Sequence, residues 1–182
     1  MNNLDYFKLS LKIKEPIAND EYLTDRIVIT RNANQTNKLI EANKKIIKNI
    51  TAYEIATGRE GKKLRNKIIK FNWTKSHQGK LPDLFINLGG KYLVIEHKHM
   101  KESGGGQNKQ MVEIIDFIKY KENGVSYLVF LDGLFFNKYA KELQKGKLKN
   151  QYAAIIKNLK NNPDNYFVNT TGFQKYIKRF VK

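Results

Sequence analysis

The chain has 182 residues, 41% of them hydrophobic and 12% aromatic, which suits a single domain with one sizeable core. It has no cysteine, so disulfides and thiolate metal sites are excluded, and a reducing, cytoplasmic setting is expected. No apolar run approaches the ~18 residues needed to span a bilayer, and the polar start MNNLDYFKLSLK lacks a signal-peptide core, so no membrane role is expected.

Thirty-four Lys and Arg face 17 Asp and Glu, a formal charge of +17 spread along the whole chain. Such a field attracts phosphates through long-range steering and counterion release, and it points to a polyanionic partner. Part of the bias has a plainer source in a Lys-, Asn- and Ile-rich composition. The Asn-x-Thr triplets at Asn49, Asn72 and Asn169 read as chance within it.

Taken in chain order, the first ~35 residues show little pattern, with RIVIT at 26–30 a possible strand. A helical spacing runs from about Thr36 to Thr57 through Leu39, Ile46, Ile50 and Tyr53, with Gly58 as its stop. NKIIKFNW at 66–73 reads as a strand, and PDLFINLGGKYLVIEHK at 82–98 as a hairpin. GGG at 104–106 leads into a second helix, whose apolar stripe is Met111, Ile114, Ile115 and Ile118. VSYLVFL at 125–131 has the near-continuous apolar content of a buried strand. A helix near 150–161, a short strand YFV at 166–168 and an amphipathic segment from Gly172 complete the pattern. These elements define an α/β (α+β) fold: a central mixed β-sheet flanked by helices, in one domain over 1–182.

The hairpin carries the chemistry. Gly89-Gly90 between two apolar runs signals a two-residue turn, because both central positions of a type I′ turn need positive φ. Partners across such a turn sum to 179, so Asp83 falls opposite Glu96, on the same face of the sheet. Side chains alternate along a strand, so Lys98 joins them while His97 points the other way, towards a packing role. Two opposed carboxylates destabilise a sheet unless something neutralises them. A divalent cation does so, and Mg²⁺, with Mn²⁺ as a possible substitute, takes one or two carboxylates together with waters and phosphate oxygens. A surface hairpin whose acids simply pair with neighbouring lysines is the plainer alternative.

At Pro82-Asp83 and Glu96-His97-Lys98 the sequence resembles the PD-(D/E)xK nuclease superfamily, and within it the type II restriction endonucleases. The element order from about residue 36 to 131 is similar as well, leaving 1–35 and 132–182 as elaborations. The resemblance implies a restriction-endonuclease-like core and Mg²⁺-dependent hydrolysis of phosphodiester bonds in double-stranded DNA. It assigns Asp83 and Glu96 as metal ligands, the backbone carbonyl of His97 as a third, and Lys98 as the residue that orients or activates water. It also implies a further acid on the preceding helix. Glu54 shares the apolar arc of that helical spacing and is the candidate, with Glu60 as rival. Three glycines entering a helix let a phosphate approach its N-terminus, and Gln107 and Gln110 on its first turn are DNA-contact candidates. No Gly-Lys-Ser/Thr follows, so this is no nucleotide-binding loop. Because 182 residues is short for recognition plus cleavage, a homodimer or a heterodimer with a recognition subunit is expected. A structure-specific repair or resolvase-type nuclease, and a non-catalytic nucleic-acid-binding module, remain the alternatives.

Overall fold

A computed structural model describes residues 1–12, 53–56, 82–88, 90–100, 105–133 and 145–180. Among them the order is α1 (Asn3–Lys12), β1 (Tyr53–Ala56), β2 (Leu84–Leu88), β3 (Lys91–Met100), α2 (Gly105–Phe117), β4 (Val125–Gly133), α3 (Gly146–Asn161), β5 (Tyr166–Val168) and α4 (Thr170–Ile177), followed by a 3₁₀ turn, Lys178–Phe180. The five strands form one sheet in sequence order. β1, β2 and β3 pair antiparallel; β3, β4 and β5 pair parallel, with α2 and α3 as the crossovers. The fold is thus α/β, a mixed sheet flanked by helices. No helix among the described residues is long and apolar enough to cross a membrane.

The period-two pattern of the strands fixes what each face carries. Phe85, Val94, Val125, Tyr127, Val129, Leu131 and Phe167 point to one side, where Met111, Ile114 and Ile115 of α2, Ile118 just after it, and Ile155 and Leu159 of α3 pack on them. His97, Leu128, Phe130, Tyr166 and Val168 point to the other, where α4 docks through Phe173, Tyr176 and Ile177, all buried. β4 is covered on both sides, which is why its sequence is apolar from Tyr127 to Leu131.

The helix expected over 36–57 is not what its last residues form. Tyr53–Ala56 is strand β1, and its register is set by β2: Glu54 opposite Asn87 and Ala56 opposite Phe85. Non-local pairing overrides a local periodicity here. The remainder of that helical spacing, the strands expected at 26–30 and 66–73, and Glu60 lie outside the described residues. The helix α1, in a region with little legible pattern, starts on a reciprocal capping box: Asp5 N–H donates to Asn2 Oδ1 (2.9 Å) and Asn2 N–H to Asp5 Oδ2 (2.8 Å). This helix covers the β5 edge of the sheet. Phe7 meets Phe167 edge-on at 5.9 Å, and Tyr6 meets Tyr166 and Tyr176 at 5.9 and 5.7 Å. Within 145–180, β5 is thus a strand of the same sheet, and Ile155, Leu159 and Phe167 belong to its core.

Asparagine does much of the stapling. Asn158 Nδ2 donates to Ile115 O (2.9 Å), Asn162 Nδ2 to Ile118 O and Lys119 O (3.3 and 3.2 Å), and Asn165 Nδ2 to Ile118 O and Tyr120 O (3.0 and 2.5 Å). These are the carbonyls that the end of α2 leaves without helical donors. Asn3 does the same for α3, reaching Leu159 O, Asn162 O and Asn165 O at 2.8–3.1 Å. Asn169 is fully buried; its Oδ1 accepts from Gly172 N–H (2.9 Å) at the start of α4, and its Nδ2 donates to Ser10 O (3.0 Å). Its place in an Asn-x-Thr triplet is structural.

Candidate active site

The hairpin has the register that its two-glycine turn requires: Leu88 pairs with Lys91 and Leu84 with Ile95. Gly90 has φ +98, and its N–H is taken by Asn87 Oδ1 at 2.8 Å. One step further along the register puts Asp83 opposite Glu96, and the next puts Pro82 opposite His97. Pro82 has no N–H to give, which is a physical reason for β2 to stop at Leu84 while β3 runs on to Met100. The Asp83 carboxylate takes over from the lost ladder, its Oδ2 accepting from His97 N–H at 2.7 Å. In a strand the N–H and C=O of one residue point to the same edge, so the His97 carbonyl is directed to the side from which Asp83 approaches.

Beyond the end of β2, Glu96 and Lys98 project from β3 to the face covered by α2. Lys98 Nζ donates to Glu96 Oε1 at 2.5 Å, with the two side chains 23% and 15% exposed. Burial, and then the charge of Asp83, push the Glu96 carboxyl up to about 7 despite the opposing pull of Lys98. Burial works against the Lys98 ammonium, but Glu96 and Asp83 outweigh it and hold the group above the ordinary lysine value. Without a cation the lysine is thus raised, the reverse of the depression that a neighbouring metal ion would impose. A third, weaker charge acts on Lys98: Glu113, half-buried on α2. The sequence gives no local sign of it, since only the fold brings α2 back over the hairpin.

The other candidates separate from this group. Glu54 stands on β1 opposite Asn87, whose β3 partner is Tyr92. Glu96 is four strand steps beyond Tyr92, about 13 Å along the sheet, so the backbone does not bring Glu54 to the acid pair. His97 is buried on the opposite face, its ring 4.9 Å from Phe130, which in turn stacks on Phe173 at 4.9 Å. Gln107 lies on the first turn of α2, and Gln110 is exposed. Among the described residues no group of three or more His, Cys, Asp or Glu is gathered to hold a metal. The donor set here is two carboxylates plus a backbone carbonyl, a combination that suits a hard, partly hydrated cation. Comparison with protein-family models, curated proteins and solved structures found no match.

Proposed function

We propose that this chain is a Mg²⁺-dependent DNA endonuclease of the restriction type, or the cleavage subunit of one. The observation that carries the reading is the hairpin register, which sets Asp83 opposite Glu96, with Glu96 only 15% exposed and ion-paired to Lys98 on the same face. Supporting it are the antiparallel hairpin followed by a helix and a parallel strand, as the resemblance implies, and a net charge of +17 that attracts polyphosphate.

In this reading Asp83, Glu96 and the His97 carbonyl would hold the cation, which would supply neutralising charge for a scissile phosphate and a more acidic water. Lys98, on the same face, would direct its N–H groups to the attacking water and orient it. Gln107 and Gln110, at the start of α2, are offered to the phosphate backbone or a base edge. Glu54 has no part in this reading. Double-stranded DNA is the substrate, cut by a homodimer or with a recognition subunit.

Incubating purified protein with supercoiled plasmid, with Mg²⁺ or with chelator, tests the proposal. Discrete Mg²⁺-dependent fragments are expected. Cutting confined to junctions or flaps would replace restriction by structure-specific repair, and DNA binding without cutting in Mg²⁺ or Mn²⁺ would reduce the chain to a binding module.

A further inference from the structure

Away from the hairpin, α1 and α3 lie side by side and run antiparallel: Asn3 bonds to Leu159 O near the end of α3, and Phe7 meets Tyr152 near its middle at 5.8 Å. An open groove of about 920 Å³ follows their junction. On α3, Lys149, Ala153, Ile156 and Lys160 line it at spacings of four, three and four, which keep them on one helix face. Leu4 and Lys8, one turn apart on α1, line the other wall. Because the helices are antiparallel, Leu4 falls on the Ile156 side and Lys8 on the Lys149 side. The floor is thus apolar along its middle, with Lys8 and Lys149 at one end and Lys157 and Lys160 at the other. Among the described residues no acid lines it.

Leu4, Tyr152 and Ile156 give part of their surface to the core and leave the rest to the groove, while Ala153 and the four lysines are exposed. An apolar floor in water favours an occupant that covers it, and a rim of one sign selects the opposite sign. The phosphate backbone of a duplex meets the second demand and not the first, having no apolar side to lay on Leu4 and Ile156. A second copy of this chain is repelled by a like charge of +17. A groove between two helices that is apolar along its middle accepts a third helix through side chains at i, i+3, i+4 and i+7. We propose that this groove docks an amphipathic helix of a partner protein, apolar at its centre and acidic on either side. From Lys149 to Lys160 the groove spans about 16 Å of helix, so the acids that answer these lysines stand about three turns apart. The inference is independent of the metal-binding reading, since Asp83, Glu96 and Lys98 do not line the groove.

The test is fluorescence anisotropy, with the full chain, of a labelled helical peptide of about 18 residues that carries leucines at its centre and glutamates about three turns apart around them. A scrambled peptide of the same composition reports attraction to the net charge alone. The patterned peptide is expected to bind at least about tenfold tighter than the scrambled one. Ala153→Arg sets a large side chain on the floor and adds positive charge, at an exposed helical position where arginine is well tolerated. It should weaken the patterned peptide about tenfold or more and leave the scrambled one unchanged or slightly tighter. Lys149→Glu combined with Lys160→Glu should also weaken the patterned peptide, and should tighten a version with lysines in place of its glutamates. Equal binding of the two peptides, or undiminished binding by Ala153→Arg, would reduce the groove to part of the general positive field and overturn the inference. A dimer of the chain alone in sedimentation velocity that Ala153→Arg dissociates would give the groove to a second copy. Duplex DNA affinity that falls with the double lysine reversal, while the patterned peptide's does not, would give it to nucleic acid. Either result overturns the proposal.

Discussion

The two ends of this sheet both bury polar side chains, and they treat them in opposite ways. At the β5 end, Asn3, Asn158, Asn162, Asn165 and Asn169 are buried, and each is hydrogen-bonded to the backbone of another element. At the open end of the β2–β3 hairpin, Glu96 is only 15% exposed, and its proton affinity is driven up first by burial and then by the charge of Asp83. Neutral amides that satisfy orphan carbonyls stabilise a fold without further help. A buried acid facing another is costly unless a third party arrives, and perturbed groups of this kind collect at working sites. The first end holds the molecule together; the second end is where the proposed chemistry is placed.

Substitutions should separate the two ends cleanly. If the proposed function is right, Asp83→Asn and Glu96→Gln should each lower the plasmid-cleavage rate by at least about 10²-fold while leaving a cooperatively folded protein, since several kcal/mol of transition-state stabilisation would pass through the cation they would hold. Near wild-type cutting by either folded variant would remove the acid pair from the mechanism. Asn165→Ala should do the reverse. It strips donors from Ile118 O and Tyr120 O and an acceptor from Tyr127 N–H, so unfolding free energy should fall by about 3 kcal/mol or more in denaturant titrations, with cleavage per folded molecule unchanged. The smallest effect belongs to His97→Leu. It alters the far face of the same strand, against Phe130, and should cost less than about 1.5 kcal/mol and spare cleavage. A loss of cutting as large as that of Glu96→Gln would mean that the two faces of β3 are not independent.

How far the sequence discloses this division follows from the range of each interaction. Gly89-Gly90 sets the register of Asp83 against Glu96 within a few residues, so the acid pair is readable from the chain alone. The stripe Met111, Ile114, Ile115 and Ile118, the apolar run of β4 and the YFV strand are also local patterns, and each forms the expected element. β1 is not local: YEIA becomes a strand because β2 offers it a partner, so Glu54 looked helical. The Asn2/Asp5 capping box is a legible start signal for α1, obscured by the polar residues around it. The buried asparagines resemble compositional bias because their partners are carbonyls 43 to 162 residues away in the chain. Glu113 escapes notice for the same reason.

The claim that Glu96 sits in an unresolved conflict is tested most directly by the pH dependence of stability. Its folded carboxyl is pushed up to about 7 from an ordinary 4.5, so between those values the folded state holds more protons than the unfolded one, and stability falls as pH rises through the window. The full difference is on the order of 3 kcal/mol. Lys98, with its affinity for protons raised, keeps its contribution throughout that window and loses it only at alkaline pH. Unfolding free energies measured by denaturant titration in chelator should therefore decline from pH 4.5 to about 7 in the wild-type chain, decline less in Glu96→Gln, and be partly restored near pH 7 by millimolar Mg²⁺. A wild-type profile that parallels that of Glu96→Gln, unaltered by Mg²⁺, would contradict the account.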